Sequence, residues 1–180
     1  MDFKCPVDFW GNQMFILNII HHGQRRLIRS IATYHPTAAW VAQQVREAFP
    51  YDTAPKMMIF DRDTIFSPLV KQILPNMGIQ VRRIDYKCPW QNGVVERFNL
   101  TLQTELLSLI TAVSENHMNR LLRQYRKYYN TARPHMTNND FPPDGVEKLP
   151  VTIPAQERNV GNVESISWVG GFHHSYYWAA

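Results

Sequence analysis

The stretch KMMIFD, residues 56–61, decides the fold of this chain, because it places four consecutive apolar residues directly before a carboxylate. A short apolar run bounded by turn-forming residues is typical of a strand that is buried on both faces. Pro50 and Pro55 stand before the run and separate it from the preceding segment. The pattern therefore predicts a buried strand in an α/β fold, and this strand delivers Asp61 to the edge of a sheet.

Upstream of this strand the chain offers three apolar pieces rich in β-forming residues, at about residues 3–10, 14–21 and 25–33. Turn-forming residues separate the pieces, which predicts a three-stranded antiparallel meander. His35 and Pro36 then end the last strand, and Thr37 supplies an N-cap for a helix over residues 38–49.

Downstream, the pattern predicts a helix over residues 67–77, a strand over 79–84 and two long helices, at 91–111 and from Ser114 onwards. The resulting order, βββαβαβαα, is that of a mixed α/β architecture with helices packed on a sheet. Beyond Arg133 the composition becomes polar and rich in proline. We therefore expect a core over residues 1–135 and an extended tail over 136–180 with one strand at 163–169.

Composition limits the class of protein without deciding the function. The 180 residues are 44% hydrophobic and carry a formal net charge of +4, which permits a nucleic-acid partner. The two cysteines, Cys5 and Cys88, are far apart and form neither a zinc knuckle nor a disulfide framework. No apolar stretch has the length of a signal peptide or a membrane span, so we expect a cytoplasmic protein, in a bacterial cytosol and near the nucleoid.

Three acidic residues stand at the ends of predicted elements. Asp8 lies late in the first strand, Asp61 at the tip of the fourth, and Glu96 in the first turns of a long helix. Carboxylates of this kind hold hard cations, and two such ions can clamp the attacking and leaving oxygens of a phosphoryl transfer. Without a metal the same carboxylates would repel one another, so cation binding should stabilise the fold.

The residues around these carboxylates strongly resemble the integrase core domain of bacterial insertion-sequence transposases, in the superfamily of the retroviral integrases. The resemblance is carried by VDFW (7–10), FDRDTIF (60–66) and PWQNGVVERF (89–98), and it extends to ATYHPTAAW (32–40) and YYNTARPH (128–135). It implies a ribonuclease H-like fold with a mixed five-stranded sheet. It also implies a D, D, E catalytic site at Asp8, Asp61 and Glu96 that holds two Mg²⁺ or Mn²⁺ ions.

By this resemblance the chain is a metal-dependent polynucleotidyl transferase for DNA integration and recombination, and it acts on DNA as a homo-oligomer. Complete transposases of this kind carry helix-turn-helix segments before the core, so we expect recognition of element ends to be absent here. A silent relic that only binds DNA and a ribonuclease H-like nuclease are the alternatives. The intact carboxylates argue against the relic, and the motifs at 89–97 and 130–135 argue against the nuclease.

Several residues near the carboxylates are candidates for DNA contact. Basic side chains could hold phosphates, Trp90 could stack on an unpaired base, and a polar stripe on the face of Glu96 could lie along the DNA. A plain surface charge, or a core anchor in the case of Trp90, is the alternative for each. The candidates are Arg62, Lys87, Trp90, Gln91, Asn92, Arg97, Asn99 and Gln103.

Other conspicuous residues receive structural interpretations. Glu105 falls on the opposite side of the helix from Glu96, which predicts a solvated side chain. Tyr125, Tyr128 and Tyr129 have the spacing of core residues. We assign no zinc to the adjacent His173 and His174, because neighbours in an extended segment point in opposite directions.

Overall fold

A computed structural model of the chain describes residues 1–51, 53–61, 68–85, 88–145 and 163–178. Its first three strands, β1 (Asp2–Lys4), β2 (Phe15–Ile20) and β3 (Leu27–Thr33), form the expected antiparallel meander in the order β1-β2-β3. The register places Asp2 opposite Asn18 and Lys4 opposite Ile16.

The first strand is much shorter than the expected 3–10, and Asp8 lies in a loop after it. Pro6 has no N–H with which to continue a ladder, and its carbonyl instead accepts from the Met14 N–H over 2.9 Å. A single antiparallel bridge joins Val7 to Gln13. The expectation that Asp8 stands at the end of the first strand was therefore wrong.

A parallel pair of strands continues the fold. After α1 (Ala38–Ala48), whose N-cap Thr37 accepts from the Trp40 N–H, come β4 (Met57–Phe60), α2 (Pro68–Asn76) and β5 (Gln80–Arg83). Strands β4 and β5 are parallel, with Met57 opposite Gln80. The Met1 nitrogen donates to the Ile59 carbonyl over 2.5 Å, which places β1 beside β4. The five strands thus form a three-stranded and a two-stranded sheet, not one continuous ladder.

Two further helices follow in the predicted order. A 3₁₀ turn at Pro89–Asn92 leads into α3 (Gly93–Leu102), and α4 (Glu115–Thr131) begins at the N-cap Ser114, which accepts from the His117 N–H. Between them α3 passes into a π-helical turn at Gln103–Leu107, so the long helix expected over 91–111 is shorter than predicted. None of the helices in the described part of the chain is long and apolar enough to span a membrane.

The strand β2 separates two apolar cores, which explains why almost all of its residues are apolar. Ile16 and Ile20 pack with α3 and α4, whereas Leu17 and Ile19 pack with α1, β4 and β5. Successive side chains of a strand point to opposite faces, so one strand can serve both cores. The helices α3 and α4 therefore cover one face of the sheet and α1 covers the other.

The C-terminal segment forms a hairpin of β6 (Val163–Trp168) and β7 (His173–Trp178). Its first strand matches the one expected at 163–169, and the second was not anticipated. Val169 is 3% exposed within the α3–α4 core, and the His173 ring stacks on Tyr128 at 4.5 Å between ring centroids. The hairpin thus packs on α4, and the division of the chain at residue 135 remains a prediction.

The interpretation of the tyrosines was correct, and that of Glu105 was wrong. Tyr125 is completely buried and Tyr129 is 4% exposed, as core packing requires. Glu105 is not solvated: its carboxylate accepts two hydrogen bonds from Arg133 Nε and one from the Tyr125 hydroxyl, and it forms an ion pair with Arg133 Nη2 at 2.7 Å. The π-helical turn contributes to this difference, because it rotates the residues after α3 away from α-helical spacing.

Candidate active site

Three carboxylates converge where β1, β4 and α3 meet, and the first of them is Asp2. Asp2 begins β1, Asp61 directly follows β4, and Glu96 lies in the first turn of α3. Burial raises the pKa of Asp2 above its ordinary value, and the negative charges of Asp61 and Glu96 raise it further. Asp61 and Glu96 therefore lie close enough to Asp2 for their charges to act on it, although both of these side chains are exposed.

A chain of buried hydrogen bonds holds Asp2 in place. The Ser30 hydroxyl donates to Asn18 Oδ1 over 2.7 Å, Asn18 Nδ2 donates to Asn99 Oδ1 over 2.8 Å, and Asn99 Nδ2 donates to Asp2 Oδ2 over 2.8 Å. Asn18 is fully buried, and Ser30 and Asn99 are each 8% exposed. In this series of hydrogen bonds, the side-chain amides of Asn18 and Asn99 each accept through the oxygen and donate through the nitrogen. The Asn99 Nδ2 group is therefore held in an orientation that points to the Asp2 carboxylate.

Asp8 is not brought to this site. Its carboxylate accepts from the Tyr34 hydroxyl over 2.7 Å, from the backbone N–H groups of Trp10 and Asn12, and from Asn12 Nδ2. The Tyr34 hydroxyl is the foremost cause that lowers the pKa of Asp8, and the same bond raises the pKa of Tyr34 to about 12. Neither Asp61 nor Glu96 is among the groups that shift the pKa of Asp8. The side chain organises the loop after β1.

The sequence contained a signal that could have pointed to Asp2. Asn18 interrupts the otherwise apolar run of β2, and a fully buried amide needs polar partners on the neighbouring strand and helix. The residue opposite Asn18 in the meander is Asp2. A carboxylate that faces a buried asparagine in a central strand is a stronger candidate than one placed after Pro6.

Two residues of the polar stripe on α3, Asn92 and Asn99, are buried, whereas Glu96 on the same face is exposed and Gln103 is half-buried. Asn92 is 2% exposed, and its Nδ2 donates to the Met1 carbonyl over 3.4 Å, whereas Asn99 belongs to the chain that holds Asp2. Gln103 Nε2 donates to the Ser108 hydroxyl over 3.3 Å within the π-helical turn. The stripe is polar because the strands beneath it present polar groups, so the expectation that DNA lies along Asn92 and Asn99 was wrong.

The remaining DNA-binding candidates divide by exposure. Gln91 uses both amide atoms on Asp85, accepting from its N–H and donating to its carboxylate, each over 2.8 Å. Trp90 is 71% exposed, and Arg97 is also exposed, so both are accessible to a ligand. Arg62 and Lys87 lie outside the described residues, as do the neighbouring Asp63 and Tyr86.

The donor chemistry of the site fits a divalent cation, although the carboxylates are not drawn together as a ligand set. Among the described residues, no group of three His, Cys, Asp or Glu side chains stands close enough to hold a metal ion. Burial raises the pKa of Asp2, the Phe3 backbone and the N-terminus oppose this rise, and the charges of Asp61 and Glu96 add to it, a repulsion that a bound cation would relieve. Three oxygen-donor carboxylates are the ligand type that Mg²⁺ and Mn²⁺ prefer.

Comparison with known proteins finds a family match over part of the chain and a similar fold among solved structures. Residues 77–143 match the profile of a family described as integrase core domain, a range that runs from before β5 past α4 and includes Glu96. No curated protein sequence matches the chain.

Among solved structures, the chain is similar to the catalytic core domain of BIV integrase, with 15% identity, a TM-score of 0.55 and coverage of 79% of this chain and 89% of that one. It is also similar to the HTLV-2 integrase catalytic core domain in complex with magnesium (trimeric form), with 11% identity, a TM-score of 0.58 and coverage of 78% and 90%.

A third similar chain comes from the cryo-EM structure of the simian T-cell lymphotropic virus intasome in complex with PP2A regulatory subunit B56 gamma. The identity is 11%, the TM-score is 0.64, and the match covers 99% of this chain and 66% of that one, so this chain spans less than two thirds of its length. At these identities the likeness concerns the fold, which is the ribonuclease H-like fold of integrase catalytic cores.

Proposed function

We propose that this chain, whose residues 77–143 match the integrase core domain family, is the catalytic domain of a DNA transposase or integrase of the bacterial insertion-sequence kind. It would cleave phosphodiester bonds and transfer strands during DNA integration or recombination. The observation that carries this proposal is the convergence of Asp2, Asp61 and Glu96 at the junction of β1, β4 and α3. The motifs around Asp61 and Glu96 support it.

In this proposal Asp2 takes the place that the sequence motif gave to Asp8, and Asp61 and Glu96 keep theirs. These three carboxylates would hold Mg²⁺ or Mn²⁺, and we propose two ions. When bound, the metal neutralises the carboxylates, lowers the pKa of the attacking hydroxyl or water and offsets charge on the transferring phosphoryl group. The HTLV-2 integrase core, whose fold is similar, was solved in complex with magnesium.

The surrounding residues of the chain would position the reacting groups. Asn99 holds Asp2 Oδ2 and so keeps the Asp2 carboxylate in one orientation. The other oxygen, Oδ1, would then bind the metal without a further loss of side-chain entropy. Arg97, which follows Glu96 on α3, and Trp90 are exposed beside the site and would contact DNA. We keep Arg62 and Lys87 as proposed phosphate contacts on the strength of the motif. The active complex would be a homo-oligomer, because joining two DNA ends requires two active sites.

The test is Mn²⁺- and Mg²⁺-dependent nicking of supercoiled plasmid, followed by strand transfer of labelled DNA ends. We expect Asp2→Asn and Glu96→Gln to abolish both reactions while circular dichroism shows wild-type folding. The matched control is Asp8→Asn, which exchanges the same groups six residues away and should leave nicking in place. If Asp8→Asn is inert and folded while Asp2→Asn nicks normally, our assignment of Asp2 is refuted. A folded wild-type chain that binds neither metal would instead favour the silent relic.

A further inference from the structure

A cavity of about 570 Å³ lies against α3, the helix that carries Glu96, but Glu96 itself does not line it. One wall is the face of α3 that carries Gly93, Arg97 and Thr101. The other walls are the turn between β2 and β3 and the segment that follows α4. A volume of this size is in the range of about 300–1,000 Å³ that small-molecule sites occupy in proteins. Glu96 and Arg97 are adjacent in α3, so a ligand here would lie about 100° around the helix from the catalytic face.

The cavity carries positive charge that no described carboxylate compensates. Arg25, from the turn between β2 and β3, and Arg97 both line it, and neither forms an ion pair with a described carboxylate. Arg133 also lines it, but its guanidinium is paired with Glu105. Two guanidinium groups from different elements that face one cavity favour a phosphate, which guanidinium can bind through two parallel hydrogen bonds.

His135 adds a hydrogen-bond acceptor to the same cavity. The residue is 8% exposed, and its Nε2 has no hydrogen-bond partner among the described residues. Burial lowers the pKa of His135 and the charge of Arg133 lowers it further, against a hydrogen bond to the Tyr129 backbone, which favours the neutral ring. A neutral imidazole has one N–H and one lone pair, so in the tautomer with its proton on Nδ1 the unpartnered Nε2 is an acceptor. This atom requires an N–H or O–H donor from a ligand.

Trp90 supplies an apolar surface at the cavity and is 71% exposed. Phe98 and Tyr129 also line the cavity and are both buried in the core. An exposed indole beside a positively charged cleft is a stacking platform for a nucleobase. A phosphate group alone would satisfy the arginines but offer neither a donor for His135 nor a ring for Trp90.

We propose that this cavity binds one unpaired nucleotide of the DNA substrate, with its phosphate between Arg25 and Arg97 and a base N–H donated to His135 Nε2. The proposal rests on the proposed function, since it makes the cavity the place where a frayed DNA end is held against the helix that carries Glu96. It assigns a preference for unpaired over fully paired DNA to a site that is separate from Asp2, Asp61 and Glu96.

The walls of the cavity are fixed before any ligand binds. Asn138 Nδ2 donates to the Gln24 carbonyl over 3.2 Å, which ties the Arg25 turn to the segment of His135. Asn130, at the end of α4, donates to and accepts from the backbone of Leu27, in both cases over 2.9 Å. A site whose walls are already ordered loses less entropy on binding than one that must be assembled.

The test measures DNA binding in the Glu96→Gln background with EDTA, so that no cleavage takes place. Fluorescence anisotropy compares a labelled duplex that ends in one unpaired nucleotide with the same duplex with flush ends. We expect Arg25→Gln and Arg97→Gln each to raise the Kd for the frayed duplex about tenfold, as loss of a charged hydrogen bond does, and the Kd for the flush duplex less than about twofold. The control is Arg46→Gln, which removes an exposed cation from α1 on the other face of the sheet.

Photocrosslinking then locates the base. With 5-iododeoxyuridine at the unpaired position, we expect the adduct on peptides that contain Trp90 or His135. Equal weakening of both duplexes by the arginine variants, no weakening of either, or an adduct elsewhere would each overturn the proposal. The proposal would also be overturned if deoxyadenosine monophosphate displaced the frayed duplex with a similar Kd, because the cavity would then be a site for free nucleotides.

The failure of this proposal can be told apart from the failure of the proposed function. If wild-type protein nicks plasmid and the arginine substitutions weaken binding of both duplexes equally, or of neither, only the cavity assignment falls. If the arginine variants lose the preference for frayed DNA while no metal supports nicking, the cavity assignment stands and the catalytic one falls.

Discussion

Asn99 Nδ2 donates a hydrogen bond to Asp2 Oδ2 over 2.8 Å, and this bond joins the helix of Glu96 to the first residue of β1. Asn99 lies one turn after Glu96, so the helix that presents one proposed metal ligand also orients another. Any rotation or shift of α3 would change both carboxylates at once. The spacing of Glu96 and Asn99 on α3 is thus a structural link between two parts of the proposed site.

Replacing Asn99 should therefore weaken metal binding more than it weakens the fold. Asn99→Ala removes the donor to Asp2 and leaves that carboxylate free to rotate, which should cost about 10- to 100-fold in metal affinity or activity. The measurement is the Mn²⁺ concentration that gives half-maximal plasmid nicking, which should rise. Asn130→Ala is the control, since this buried amide also holds backbone groups but lies away from the carboxylates. An equal rise in both variants would contradict the prediction.

Asp8 should contribute to stability and not to catalysis. Its lowered pKa, due foremost to the Tyr34 hydroxyl, means that the ionised form is favoured in the folded protein. The stabilisation is present above the unfolded pKa of about 3.9 and is lost as the pH falls through the lower folded value. Thermal unfolding at pH 7 should therefore show a lower Tm for Asp8→Asn and Tyr34→Phe, with a smaller difference from wild type at the acid end. A wild-type Tm for both variants at pH 7 would refute this role.

The position of Glu105 predicts that one carboxylate secures the C-terminal hairpin. Its side chain joins Arg133 and Tyr125, and its backbone carbonyl lies 2.8 Å from His173 Nε2. Glu105→Gln should lower the free energy of unfolding by about 1–3 kcal/mol, because it weakens charged hydrogen bonds in a half-buried setting. Hydrogen exchange across residues 163–178 should also become faster. Glu164→Gln, at an exposed contact with Tyr177, is the matched control and should change neither measurement.

The local signals of the sequence predicted the elements of the fold well. Thr37 and Ser114 each cap the helix that the sequence placed after them, because capping depends only on neighbouring residues. Asp61 and Glu96 stand at a strand end and a helix start as expected. These features need no knowledge of tertiary contacts.

The features that were missed depend on contacts between distant parts of the chain. Asp2 was overlooked because β1 is only three residues long, too short for an alternating pattern to show. The polar residues of α3 were assigned to DNA because a helical stripe of amides is usually exposed, and here Asn18 and Asp2 receive it inside the protein. The partner of a buried polar group on another element cannot be read from helical periodicity alone.

His135 should make the stability of the protein fall on mild acidification. Its pKa is lowered in the folded state, mainly by burial, so the unfolded chain binds a proton more readily. Stability is then complete above the unfolded pKa of about 6.5 and decreases as the pH falls below it toward the folded value, by up to about 1.4 kcal/mol per pH unit. His22, whose pKa is also lowered by burial first, should add to the same slope.

The measurement is urea unfolding of wild type and His135→Asn between pH 7.5 and pH 5. Asparagine can still donate to the Tyr129 backbone from the position of Nδ1 but does not titrate, so its unfolding free energy should fall less steeply with acid. His22→Asn serves as the control that removes the other imidazole whose pKa is lowered. If His135→Asn retains the full wild-type slope while His22→Asn abolishes it, the acid sensitivity belongs to the β2–β3 turn and not to His135.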